Sequence, residues 1–249
     1  MKTPVTICLT LSSFIHCAAA FSQSASSTVE LKPDTAALQQ QYNIIFTNSA
    51  QLYNGPEYAD YSLRFNARIG HQFYMWPDKQ PGTIVYNKQY YSGLLLAYDI
   101  VVDQVVLSFP NSPFRLRAVN EKVDEFTINN HHFIRVVADS TTDKNLSTGY
   151  YELLTPGSAQ VLAKRSKHMQ KQIRQNKVEA EFSSKDKFFL KHDGRYYAAD
   201  SKASILRAFP SHSKEMQMYI QSKKLKFNKK TIEYSLITAT NYYNELSNK

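Results

Sequence analysis

The chain has 249 residues, 43% of them hydrophobic and 13% aromatic, with 30 Lys and Arg against 21 Asp and Glu for a net charge of +9. Seven glycines and nine prolines exclude a collagenous or low-complexity chain, and the apolar content excludes a disordered one. Two cysteines exclude a disulfide-dense scaffold.

The chain opens on what reads as an export signal. Lys2 supplies a positive start, residues 5–15 form a short apolar run, and Ala18, Ala19 and Ala20 offer small residues to a signal peptidase. The run falls well below the roughly 20 apolar residues that span a bilayer. Cys8 and Cys17 both lie in this leader, so its removal after about residue 22 leaves a thiol-free mature chain, residues 23–249, secreted or periplasmic. Lipid attachment at Cys17 fits poorly, because Phe14 and His16 stand where a lipoprotein signal has an aliphatic and a small residue.

Asp34 then caps a predicted N-terminal helix whose Ala37, Leu38, Tyr42, Ile45 and Phe46 share one face. From residue 83 the period becomes that of strands. Residues 83–86 and 89–91 flank Asn87-Lys88, residues 125–128 and 132–137 flank Asn129-Asn130, and residues 188–191 and 195–198 flank Asp193-Gly194. Each spacing predicts a hairpin, because these central residues tolerate the positive φ of a tight turn. Residues 94–98 and 101–109 are further β-rich runs, and 114–119 alternates as a half-buried strand. Residues 150–154 and 160–163 flank a turn at 155–158. After Ala203 the period is helical again: Ser211 or Ser213 caps a short helix through Met216 and Ile220, and Asn228 caps a last one through Ile232, Leu236, Ala239, Tyr243 and Leu246. The expected fold is α+β and β-rich: one domain with an antiparallel meander forming a curved sheet or open barrel, an N-terminal helix and two C-terminal helices (about 203–249).

Charge is distributed unevenly. Residues 23–163 carry 10 Lys and Arg against 13 Asp and Glu, whereas residues 164–230 carry 18 against 6. Within the basic third, the run 164–177 has too little apolar content to bury itself on either period. Lys164, Arg165, Lys167, Lys171, Arg174 and Lys177 are therefore its candidate ligand-binding residues, for an anionic surface such as lipid headgroups or lipopolysaccharide. The competing reading is a solvated connection. Nucleic acid is disfavoured, since no recognition motif is present.

Catalytic signatures are absent: there is no nucleophile elbow, no zinc-protease helix, no phosphate loop and no dinucleotide fingerprint. His131 and His132 are adjacent on a predicted strand, so their rings diverge and do not converge on a metal. Asp99, Asp103 and Asp139 could supply a carboxylate hydrolase, but each is expected at a strand end or turn within reach of solvent. The pairs Tyr90-Tyr91, Tyr150-Tyr151, Tyr196-Tyr197 and Tyr242-Tyr243 could line a carbohydrate or lipid cavity with their outward rings. No cofactor and no metal are expected. An outer-membrane barrel is disfavoured because residues 244–249 lack a final aromatic strand.

Several segments together resemble a group of uncharacterised secreted proteins of Bacteroidota: residues 52–58 (LYNGPEY), 70–74 (GHQFY), Tyr98-Asp99 followed by 103–106 (DQVV), and Tyr242-Tyr243-Asn244. The resemblance covers most of the mature chain and implies an exported protein with a β-rich body and a helical end. It transfers no catalytic residue. The expected function is a non-enzymatic envelope or periplasmic binding module for a partner protein or an amphiphilic ligand. The alternatives are an anionic-surface contact through 164–177 and a hydrolase with a nonstandard carboxylate site.

Overall fold

The computed structural model describes residues 50–109, 112–138, 146–174 and 177–247. They lie in one compact unit spanning Ile44–Lys249; a second unit, Met1–Asn43, falls outside them. The leader, both cysteines and the predicted N-terminal helix therefore lie outside the described residues. Thirteen strands are present: β1 (Ala67–Ile69), β2 (Gln80–Tyr86), β3 (Gln89–Asp99), β4 (Gln104–Ser108), β5 (Arg115–Arg117), β6 (Val123–Ile128), β7 (His131–Val136), β8 (Gly149–Thr155), β9 (Ala159–Lys164), β10 (Lys167–Arg174), β11 (Lys177–Ser184), β12 (Lys187–His192) and β13 (Arg195–Ala198). Three helices follow: α1 (Lys202–Ala208), α2 (Ser213–Ser222) and α3 (Ile232–Ser247).

The three predicted two-residue hairpins form as their turn residues require. Asn87 and Lys88 (φ 50° and 64°), Asn129 and Asn130 (45° and 69°), and Asp193 and Gly194 (48° and 72°) all take left-handed conformations, which match the twist of the strands they join. Ten strands form one antiparallel sheet in the order β13-β12-β9-β8-β7-β6-β2-β3-β4-β5. It is open, because β13 and β5 do not pair. It is also strongly curved. β3 and β8 stand four places apart, which a flat sheet would hold at about 19 Å, yet the Tyr98 and Tyr150 rings meet with centroids 5.9 Å apart. Tyr98, Phe126, Phe133 and Tyr150 fill the hollow with edge and stacked contacts, alongside Leu52, Ile84, Leu96 and Val105.

The outer edge of β5 is covered. Pro56 O accepts from Arg117 N at 2.8 Å, and Tyr58 N donates to Arg115 O at 2.8 Å. A Cβ on Gly55 would fall 1.8 Å from Arg117 O, so only glycine lets the two chains approach. Covering an edge in this way removes a template for unwanted pairing.

The helical end has three helices where two were expected, because the periodic residues ahead of Pro210 form α1 in their own right. Ser201 and Ser204 exchange capping hydrogen bonds at its start. The residue before α2 is His212, without a side-chain capping bond, and Ser213 is its first helical residue. Asn228 accepts from Lys230 N just ahead of α3. Ile205, Phe209, Met216, Ile220, Leu236, Ala239 and Tyr243 pack with Val161 and Leu190 as a second core.

Residues 167–184 differ from expectation. They form a hairpin, β10 and β11, which with β1 makes a separate three-stranded sheet in which β1 pairs parallel to β11. The hairpin pairs its few apolar residues with each other: Met169 stands opposite Phe182, and Ala180 is buried.

Candidate functional site

The six basic residues singled out by sequence divide into two groups. Lys164 Nζ donates to Asp103 Oδ2 at 2.7 Å and to Tyr150 O at 3.2 Å. Lys167 Nζ donates to His71 O at 2.8 Å and Phe73 O at 2.6 Å, while its backbone N–H bonds to Ile100 O. Burial pulls the pKa of both ammonium groups down; Asp103 opposes that at Lys164, and Asp186 and Asp99 oppose it at Lys167. Arg165 binds three carboxylates of the protein itself. Lys171 and Lys177 are exposed, with the Lys171 ammonium 5.7 Å from the Phe65 ring centre. The side chain of Arg174 lies outside the described residues.

Arg165 sits in the two-residue break between β9 and β10, where the ribbon leaves the large sheet for the small one. Its side chain is 10% exposed. Nε donates to Glu152 Oε2 at 2.5 Å, Nη1 to Glu233 Oε2 at 2.8 Å and to Asp186 Oδ2 at 2.9 Å, and Nη2 to Glu233 Oε1 at 3.0 Å. Burial alone would disfavour the guanidinium charge, but hydrogen bonds and Coulomb attraction from Glu233 and Glu152 outweigh it and raise its pKa above the ordinary arginine value. Glu152 also accepts from Tyr74 OH at 3.1 Å and lies 2.5 Å from His131 Nδ1. Tyr74 belongs to the aromatic core, and Phe188, 5.9 Å from the guanidinium, packs on the helical core. The ion cluster is thus the seam between two hydrophobic cores, and it ties β8, the β9–β10 break, the β11–β12 turn and α3 together.

Two of these carboxylates, Asp186 and Glu233, form part of the wall of a cleft of about 710 Å³. Phe188, Phe189, Ala198, Ala199, Phe227 and Ile232 supply its apolar lining. Lys187, Lys229 and Lys230 stand around it, exposed, and their ammonium groups have no partner among the described residues. Asp200 and Ser184 complete the lining. The volume lies within the roughly 300–1,000 Å³ of small-molecule sites, and an apolar lining with a few polar groups is their usual chemistry.

The remaining candidates are scattered. His132 pairs with Glu125, whereas His131 pairs with Glu152, so the two rings diverge as their strand positions dictate. His192 bonds to Tyr243, and His212 packs on the same ring. Asp103 is engaged by Tyr98 and Lys164. Asp99 does not reach solvent as expected: it is fully buried, and its carboxylate accepts from Tyr58, Tyr61 and the backbone N–H groups of Val101 and Val102. Burial raises its pKa, against the lowering effect of these donors. Asp139 lies outside the described residues. No group of three or more His, Cys, Asp or Glu that could hold a metal occurs among the described residues.

The tyrosine pairs also depart from a simple inward and outward split. Tyr90 is exposed and Tyr91 packs on the core, as alternation predicts. Tyr150 and Tyr151 are both buried, because a second apolar cluster of Val136, Leu146, Leu162 and Phe189 covers the far face of β8. Sequence inspection missed the cleft lysines; only the charge balance of residues 164–230 pointed to their region.

No protein-family model, no curated protein and no solved structure matches the chain. No helix among the described residues is long and apolar enough to cross a membrane.

Proposed function

We propose that this chain is an exported, non-enzymatic binding module of the cell envelope that takes an amphiphilic ligand in the cleft between β12, β13 and the start of α3. The observation that carries the reading is the union of an apolar lining, around Phe188, Phe227 and Ile232, with three exposed lysines, unpartnered among the described residues, in one concave site. Such a surface suits a molecule with a greasy body and a polar end. The Arg165 cluster holds one wall of that site before any ligand arrives, and pre-organisation lowers the cost of binding. A binding role fits Asp99, Asp103 and His132, each of which engages a different partner, Tyr58, Lys164 and Glu125. Export fits the leader and the lack of cysteine beyond residue 17.

Native mass spectrometry of the gently purified full chain tests this reading. The expected result is a mass excess from a retained small molecule, lost in Ala198→Trp, whose indole fills the cleft. A chain that carries nothing, and binds no decyl-chain amphiphile when offered one, overturns it.

A further inference from the structure

We infer that the cleft selects amphiphiles with an anionic head, a carboxylate or a phosphate. The inference rests on the reading of the cleft as an amphiphile site and adds the charge of the ligand. Three carboxylates and three ammonium groups line the cleft, a balance of zero on paper. They are not equally available. Arg165 already holds Asp186 and Glu233 through its two terminal nitrogens, and Asp186 Oδ1 also accepts from Ser166 N at 3.2 Å. Their oxygens are thus already bonded inside the protein, although the single charge of Arg165 is shared with Glu152 as well. Asp200 is left against Lys187, Lys229 and Lys230, so the groups still without a partner among the described residues for a ligand to meet are three ammonium groups and one carboxylate.

The cations come from two segments that both line the cleft, Lys187 at the start of β12 and Lys229 and Lys230 ahead of α3. Lysine is a compact point charge on a flexible stem, without the planar fork that fits one oxyanion geometry. The site should therefore accept carboxylate and phosphate alike, with the larger charge favoured, and repel a cationic head. Because the ammonium groups are exposed, selectivity should weaken as ionic strength rises.

The test is calorimetric titration of the full chain with decyl phosphate, decanoate, decyl maltoside and decyltrimethylammonium below micelle formation, with inorganic phosphate as a fifth probe. The two anionic amphiphiles should bind roughly tenfold more tightly than the maltoside at low salt, the sum expected of several exposed charge pairs, and the ammonium should bind least. The triple variant Lys187→Gln, Lys229→Gln, Lys230→Gln should abolish this preference. Equal affinity for maltoside and anions, or a preference that survives the triple variant, overturns the inference and leaves the cleft reading standing. Failure of all four amphiphiles removes the cleft reading itself. Inorganic phosphate binding as tightly as decyl phosphate would support anion selection and remove the apolar part of the site.

Discussion

Asp103 and Lys164 meet in the space beside Gly149, whose φ of +152° is one that residues with a side chain rarely adopt. Nζ lies 2.7 Å from Oδ2, and a Cβ built on Gly149 would fall 2.0 Å from that oxygen and 2.3 Å from that nitrogen. The ion pair joins the β3–β4 turn to the end of β9, which stands five places from β3 and six from β4 in the sheet, so it laces the curled sheet across its hollow. Gly149→Ala should therefore cost about 2–3 kcal/mol, more than a surface glycine. Urea denaturation measures it. A loss below about 0.5 kcal/mol would mean that the pair shifts aside freely.

Arg165 should be among the most destabilising positions. Arg165→Met leaves Glu152, whose side chain is 4% exposed, without its cation, and breaking a buried pair in this way costs about 3–5 kcal/mol. Arg165→Lys keeps a charge but cannot reach Glu152 and both oxygens of Glu233 together, so its stability should fall between the two. The double variant Arg165→Met, Glu152→Gln should recover part of the loss in the same denaturation assay.

Asn244 uses its whole amide on the β8–β9 turn. Oδ1 accepts from Ser158 Oγ and Ala159 N, and Nδ2 donates to Pro156 O and Ala159 O. Asn244→Ala should cost about 1–3 kcal/mol and raise hydrogen exchange in the last turns of α3. Gly157→Ala should give the same local signature, because its Cβ would sit 2.4 Å from Nδ2 at φ +134°.

Asp99 sets a pH dependence with a definite sign. Burial raises its folded pKa above the ordinary 3.8, so the native state binds more protons than the unfolded one between those two values. Stability owed to this group is present below 3.8 and is lost as pH rises through the folded pKa. Comparing the wild type with Asp99→Asn across a pH series should show this falling component in the wild type and its absence in the variant. Parallel curves would count against it.

Local chemistry made much of the fold legible. Asn87-Lys88, Asn129-Asn130 and Asp193-Gly194 each announce a turn because few residues accept positive φ, and strands follow from alternation between them. The hidden part is whatever depends on residues far apart in sequence. Lys164, Arg165 and Lys167 form a bare basic run when read alone; their partners Asp103, Glu233 and His71 lie 61, 68 and 96 residues away. The same separation concealed the parallel pairing of β1 with β11 and the second covering that buries Tyr151. The segments that carry the resemblance turn out to be joinery: Tyr58, Gln72, Phe73 and Asp99 meet through hydrogen bonds and one β-bridge.

The three stitches at Lys164, Arg165 and Lys167 also impose an order of events on the growing chain. The aromatic contacts among β3, β6, β7 and β8 can curl the large sheet as its strands are made, whereas the ties from residues 164–167 reach back to residues 71–103. Loop closure over such spans is slow, in the range of milliseconds to seconds for sheets of high contact order. The curl is therefore filled by aromatic rings from the first strands and tied only by residues that come later in the chain.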